Sequence, residues 1–293
     1  EAMSTPSSSN NLFGILICLP SERTIEQIQS MIDHHHNPDY DDRSLIGDDP
    51  YDMTDTDYGN NDVEGPDALH GTHVGGIVAA TRGNELGGDG VANNVLLMSL
   101  RAVPDGDEFD KDIALAIRYA VDNGAKVING SFGKSYSSMP KEVHDNFPTS
   151  MYSFQKEPFT HMLTIGASTR RHKGELAAVF SNHGQKEVDV FAPGAEIYNT
   201  VPDNEYQELQ GTSMASPMVA GVAALLKGYF PVLTMKEVRQ IILDSADDFA
   251  DTDQKLPGGD EMVKFGTLSV TGGVVNVKSA VKAAKKLAKQ KSK

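Results

Sequence analysis

Tryptophan is absent from these 293 residues, and Cys18 is the only cysteine. A single thiol excludes any intrachain disulfide and leaves the redox compartment unread. Long apolar runs are missing too. The longest near the start covers residues 12–19, too short to span a bilayer and not preceded by the basic residue of a signal peptide, so no membrane span is expected. Basic charge is scarce: 26 Lys and Arg face 41 Asp and Glu, for a net charge of −15. Seven of the lysines crowd into residues 278–293 with no acid among them, so the rest of the chain is more acidic still. Phosphate backbones select for basic faces, which excludes nucleic acid as a partner. Such acidity suits a soluble protein in a salty or extracellular setting, a cation binder, or simply a chain kept in solution by its charge.

Against those absences stands a 39% hydrophobic content, enough for one sizeable α/β core, although the length also allows two domains. Residues 1–11 are rich in Ser, Asn and Pro and read as a disordered lead-in. Residues 13–19 form a run of strand length, and Ile25, Ile28 and Ile32 follow at helical spacing. From Asp33 to Asp67 come eleven Asp, one Glu and only Arg43 in opposition, with no apolar period. This reads as a long loop, of a size that is usually functional or mobile. From Gly71 onward helix and strand alternate. Val74, Ile77, Val78 and Ala80 predict a helix, residues 95–103 a strand, and Ile113, Ile117, Ala120 and Val121 a helix closed by Gly124. Residues 126–129, 163–166 and 188–191 predict further strands. Residues 218–226 are apolar nearly all round, as in a helix buried in a core. Thr234 and Glu237 form a capping box ahead of Val238, Ile241 and Ile242. Such alternation implies a parallel sheet covered on both faces. The tail, residues 277–293, reads either as a basic amphipathic helix for a membrane surface or a partner, or as a last helix docked by Val277, Val281 and Ala284 with its remaining lysines solvated.

Two stretches carry chemistry. In His70-Gly71-Thr72-His73-Val74-Gly75-Gly76 a histidine opens a helix whose glycines allow close packing. In Gly211-Thr212-Ser213-Met214-Ala215-Ser216-Pro217 a serine opens another, with its backbone N–H at the positive end of the helix dipole. Acyl transfer by serine needs a base within hydrogen-bond reach and donors aimed at the developing oxyanion. Small Ala215 and Ser216 let the turn approach the sheet, and Pro217 is tolerated in a first turn, where N–H groups lack partners. A further reading takes His34, His35 and His36 with the surrounding aspartates as a transition-metal site, although three consecutive histidines do not readily face one ion.

Together the two stretches resemble the subtilisin-like serine proteases, in bacterial members of which an Asp-rich insertion precedes the His motif. The resemblance runs from about Gly65 to Val277 and implies a three-layer α/β/α fold with a mostly parallel sheet. It implies that His70 is the general base, Ser213 the nucleophile and His73 structural. Asn129-Gly130-Ser131-Phe132-Gly133 is similar to the segment that lies along bound peptide, which makes Ser131, Phe132 and Gly133 substrate-binding. Asn84 lies in a loop similar to one that wraps structural calcium; no cofactor is required for the chemistry. The implied domain plan is a poorly matched segment at 1–32, an acidic loop at 33–69, a catalytic domain at 70–284 and a basic tail at 285–293. A polypeptide substrate, a monomeric state and a secreted or periplasmic location follow from the same resemblance.

The family pattern departs at two points. The family's triad Asp closes an apolar strand, whereas residues 13–19 lead into Pro20-Ser21-Glu22. Its oxyanion Asn belongs between Gly133 and Leu163, where the one asparagine is Asn146, with no apolar strand before it. Two readings stay open: an endopeptidase with an unusual third member, and an inactive or truncated relative that binds extended peptide.

Overall fold

Val190, Phe191 and Ala192 lie at the centre of the molecule, all fully buried, and their side chains alternate between two cores. This is the period-two geometry of a strand covered on both faces. The computed structural model describes residues 29–292, except 36, 38, 42, 53, 105–107, 134–159 and 172–173. The run at 13–19, Asn146 and most of the helix expected around Ile25 and Ile28 fall outside them.

Six α-helices are described: α1 (Arg43–Ile46), α2 (Leu69–Ala79), α3 (Asp110–Asp122), α4 (Thr212–Tyr229), α5 (Met235–Asp244) and α6 (Val277–Lys291). The strands are β1 (Ile165–Ser168), β2 (Val190–Pro193), β3 (Ile197–Val201), β4 (Glu205–Leu209), β5 (Asp247–Asp248), β6 (Asp253–Lys255), β7 (Met262–Lys264) and β8 (Gly273–Val274). The main sheet runs β1-β2-β8-β5. β1 pairs parallel to β2 with Ile165 opposite Val190, β8 is parallel to β2, and β5 closes the edge antiparallel. The chain is thus of the α/β class with a mostly parallel sheet. Two antiparallel hairpins, β3–β4 and β6–β7, stand beside it.

The apolar character of α4 explains its central place: Met214, Ala215, Val219, Val222, Ala223 and Leu226 are all buried. It packs on β1, β2, α2, α5 and α6. Val190 and Ala192 face this helical side, while Phe191 meets Phe265 and Leu268 on the other. α5 opens with the expected capping box, in which Thr234 Oγ1 accepts from Glu237 N at 3.2 Å and Glu237 Oε2 accepts from Thr234 N at 2.7 Å. α3 is followed by Gly124 at φ 88°, the left-handed stop that its sequence calls for. In α6 it is Ala280 and Ala284 that are fully buried. Val281 packs against the core, Val277 stays exposed, and the helix runs on through residue 285 to Lys291.

Two expected strands do not form as such. Residues 95–103 and 126–129 enter no ladder among the described residues, and Leu96 is 100% exposed with Leu97, Met98, Leu100 and Val103 exposed around it. The reason is pairing, not propensity. A buried parallel strand is held by hydrogen bonds to its neighbours, and neither segment is bonded to a described strand.

The acidic stretch, expected as one long loop, is built of short turns and α1. Asp49 Oδ1 accepts from Tyr51 N, Asp52 Oδ1 from Thr54 N, and Asp62 Oδ1 from Glu64 and Gly65 N, at 2.8–3.2 Å. Asp side chains that satisfy backbone donors in this way replace the ladder bonds of regular structure. The stretch is clamped to α3: Arg43 donates twice to Asp112 at 2.9 Å, and fully buried Lys111 pairs with Asp48.

Candidate active site

Ser213 is the second residue of α4. Gly211, at φ 153° and ψ 163°, enters the helix through a backbone region open essentially to glycine alone, and its N–H donates to Gly194 O at 2.8 Å. This holds the helix start against the end of β2. The N–H of Ser213 meets no acceptor among the described residues, leaving a donor free at the positive end of a long helix.

Pro217 sits in the second turn, not the first as the sequence suggests, because the helix begins at Thr212. Having no N–H, it cannot donate to the carbonyl four residues back, which is that of Ser213. Ser131 Oγ donates to that carbonyl instead, at 3.0 Å. In return Ser213 Oγ donates to Ser131 O at 3.4 Å. Asn129 Nδ2 donates to Ser131 Oγ at 2.9 Å, and Ser216 Oγ donates to Asn129 Oδ1 at 2.8 Å. The structure thus brings the nucleophile candidate and the peptide-aligning segment together. Phe132 is half-buried, and the N–H of Gly133 donates to Glu108 Oε1 at 3.2 Å. In the sequence Asn129 stands out only within its motif and Ser216 only as a small residue, neither as a hydrogen-bonding group. The signal was the proline four residues after Ser213, which leaves a carbonyl in need of a side-chain donor.

His70 is likewise the second residue of its helix, α2, and α2 packs on α4. No hydrogen bond joins it to Ser213, whose hydroxyl faces Ser131. Although His70 is exposed, the surrounding protein removes enough hydration to lower the imidazole pKa. The charge of His73 acts in the same direction and that of Asp67 opposes it. His73 is 0% exposed, and its Nε2 lies 3.0 Å from Ile197 O and 3.2 Å from Gln207 O, so Nε2–H donates into the β3–β4 hairpin. Gly76 makes this approach possible. A Cβ there would lie 2.1 Å from Thr200 Oγ1, inside any tolerable contact.

Asn84 lies past the far end of α2, remote in sequence from His70. Its Oδ1 accepts from Leu86 N at 3.1 Å, and with Thr81, Thr200 and Tyr206 it lines a cavity of about 310 Å³. Among the described residues no three His, Cys, Asp or Glu side chains group as metal ligands. Of the three consecutive histidines, His36 falls outside them, while His34 packs on Tyr40 with ring centres 4.6 Å apart and its Nδ1 lies 3.1 Å from Ser30 Oγ. No described helix is long and apolar enough to cross a membrane.

Comparison with known proteins places these features. The model of the subtilase family matches residues 30–158 and 148–266. A thermophilic serine proteinase of a Bacillus species (strain AK1) is 36% identical over 249 residues, spanning 79% of this chain and 58% of that protein. The cell wall-associated protease of Bacillus subtilis is 32% identical over 69% of this chain and 24% of its own length. The chain therefore spans little more than half, or less, of these relatives. Among solved structures, a protease from Pseudoalteromonas arctica aligns with a TM-score of 0.56 at 26% identity, covering 77% of this chain and 75% of that one.

Proposed function

Because this chain belongs to the subtilase family, we propose that it forms the catalytic core of a serine endopeptidase, with Ser213 as nucleophile and His70 as general base. The observation that carries this is the setting of Ser213: the opening of a buried helix, an N–H that meets no acceptor among the described residues, and contact with the peptide-aligning segment. His70 and Ser213 each stand eight residues before a point where α2 and α4 meet, since a Cβ on Gly221 would touch Val78 O. That contact joins the two helices that carry the motifs.

In this reading an extended substrate lies along Ser131, Phe132 and Gly133 as an added strand, displacing Glu108 from the Gly133 N–H. Ser213 Oγ turns from Ser131 O toward His70, gives up its proton to the imidazole and attacks the scissile carbonyl. The oxyanion takes the Ser213 N–H, backed by the helix dipole. His70 then protonates the leaving amine, and water cleaves the acyl-enzyme by the same route in reverse. Relatives described as cell wall-associated and extracellular support an exported protein, and its proposed substrate is a polypeptide taken by a monomer. Calcium would sit on the oxygen donors of residues 82–90, with Asn84 Oδ1 as a side-chain ligand.

A serine-directed fluorophosphonate is the direct test. Labelling at Ser213, located by peptide mass spectrometry and abolished in His70→Ala, is the expected result. Folded protein that stays unlabelled overturns the reading.

A further inference from the structure

The hydrogen bonds around Ser213 close a ring whose polarity is fixed by chemistry. The Ser213 carbonyl can only accept, and Pro217 has removed its helical donor, so Ser131 must spend its one hydroxyl proton there. Ser131 Oγ is then an acceptor, and the group facing it at 2.9 Å must donate. That settles the orientation of the Asn129 amide: Nδ2 toward Ser131, Oδ1 toward Ser216, whose hydroxyl donates at 2.8 Å. The ring leaves α4 at Ser213 and returns to it at Ser216, nearly one turn on, so it grips the first turn of the helix at two points.

We propose that Asn129 is a positioning residue, coupling the peptide-aligning segment to the nucleophile helix and so setting where the Ser213 hydroxyl stands relative to a bound peptide. This rests on Ser213 being the nucleophile. The physical case is that Asn129 and Ser131 tie their segment to α4 at Ser216 and Ser213, while residues 126–129 enter no ladder among the described residues. α4 is a firm anchor, with eight of its residues buried. Proximity and orientation contribute to rate only while this spacing is held. Asn is the one residue of its size that offers a donor and an acceptor at opposite ends of one planar group.

The polarity argument makes a sharp test. Asn129→Asp keeps shape and volume but presents an acceptor to Ser131, diverting its proton from the Ser213 carbonyl. Asn129→Ala removes both bonds, and Ser216→Ala removes one. The measurement is fluorophosphonate modification of Ser213 over a range of reagent concentrations, which separates the bond-forming rate from reagent affinity, alongside the labelling end point and the melting temperature. Both Asn129 variants should lose about tenfold in the bond-forming rate, the loss matching roughly one charge-free hydrogen bond. Reagent affinity and end point should stay near those of the parent protein, the melting temperature should fall by only a few degrees so that the protein stays folded at the assay temperature, and Ser216→Ala should fall between. If Asn129→Asp reacts as fast as the parent, Asn129 merely fills space and the proposal fails while the nucleophile assignment stands. A rate that falls only in step with the folded fraction has the same consequence. Parent protein that never labels overturns both.

Discussion

His70 and His73 are three residues apart and have opposite surroundings. His73 is sealed between α2 and the β3–β4 hairpin, where its Nε2–H has two carbonyls in reach and its Nδ1 has no partner. Protonation would add a buried N–H with nothing to receive it, and burial accordingly lowers the pKa. His70 has solvent access and a lowered pKa as well, with Asp67 pulling the other way. A base with a lowered pKa stays neutral to lower pH, so the acidic limb of Ser213 labelling should lie below the ordinary histidine value of about 6.5. Asp67 raises the His70 pKa, hence Asp67→Asn should move that limb to still lower pH. A limb that moves upward, or not at all, contradicts the electrostatic account of the site.

Among the elements, burial separates residues that look alike in sequence. Leu226 on α4 is 0% exposed in the helical core, so Leu226→Ala should cost about 2–5 kcal/mol in urea unfolding. Leu96 is as apolar but fully exposed, and Leu96→Ser should stay within about 0.5 kcal/mol. A large loss at Leu96 would mean that something covers residues 95–103 in solution. Glu237 joins two helices. Lys291 of α6 donates to both its oxygens at 2.8 Å while it completes the cap of α5. The Lys291 bond, then the Thr234 N–H, hold its pKa down at about 2 against an ordinary 4.5. A folded-state pKa below the unfolded one stabilises above about pH 4.5 and is lost as pH falls from there toward 2. Glu237→Gln should therefore flatten the loss of melting temperature between pH 5 and 3. An unchanged slope would place the acid sensitivity elsewhere.

For the whole molecule, part of the acidic charge has a structural use: Asp48 and Asp112 hold buried cations between the acidic stretch and α3. Lys111 is 0% exposed, paired with Asp48 and lying 4.6 Å from the centre of the Tyr58 ring. Arg43 bridges Asp48 and Asp112 and lies over Phe109. Tyr58 donates to Asp112 at 2.5 Å, and burial, then this bond, push its pKa up. Removing one partner of a buried pair leaves the other uncompensated. Lys111→Met should thus cost about 3–5 kcal/mol and release the segment around residues 43–58 to proteolysis, whereas a protein that keeps its stability and its protease resistance would reduce the clamp to a surface contact.

Features that depend on neighbours along the chain are legible in the residues alone. The nearly continuous apolar run of α4, the cap of α5 and the glycine stop of α3 are all local, and each forms where its residues call for it. The two motifs also sufficed to indicate the family, because a His and a Ser at helix openings need those glycines and small residues on either side. Features that depend on partners far away in sequence emerge when the chain is folded. Residues 95–103 have the composition of a buried strand, yet a strand exists by pairing, and no described strand pairs with them. The Asp-rich stretch has no period, yet Arg43 and Lys111 order it across more than sixty residues of separation. Asn129 and Ser216 gained their roles in the same way, since a hydrogen-bonded ring closes only when two segments meet in space.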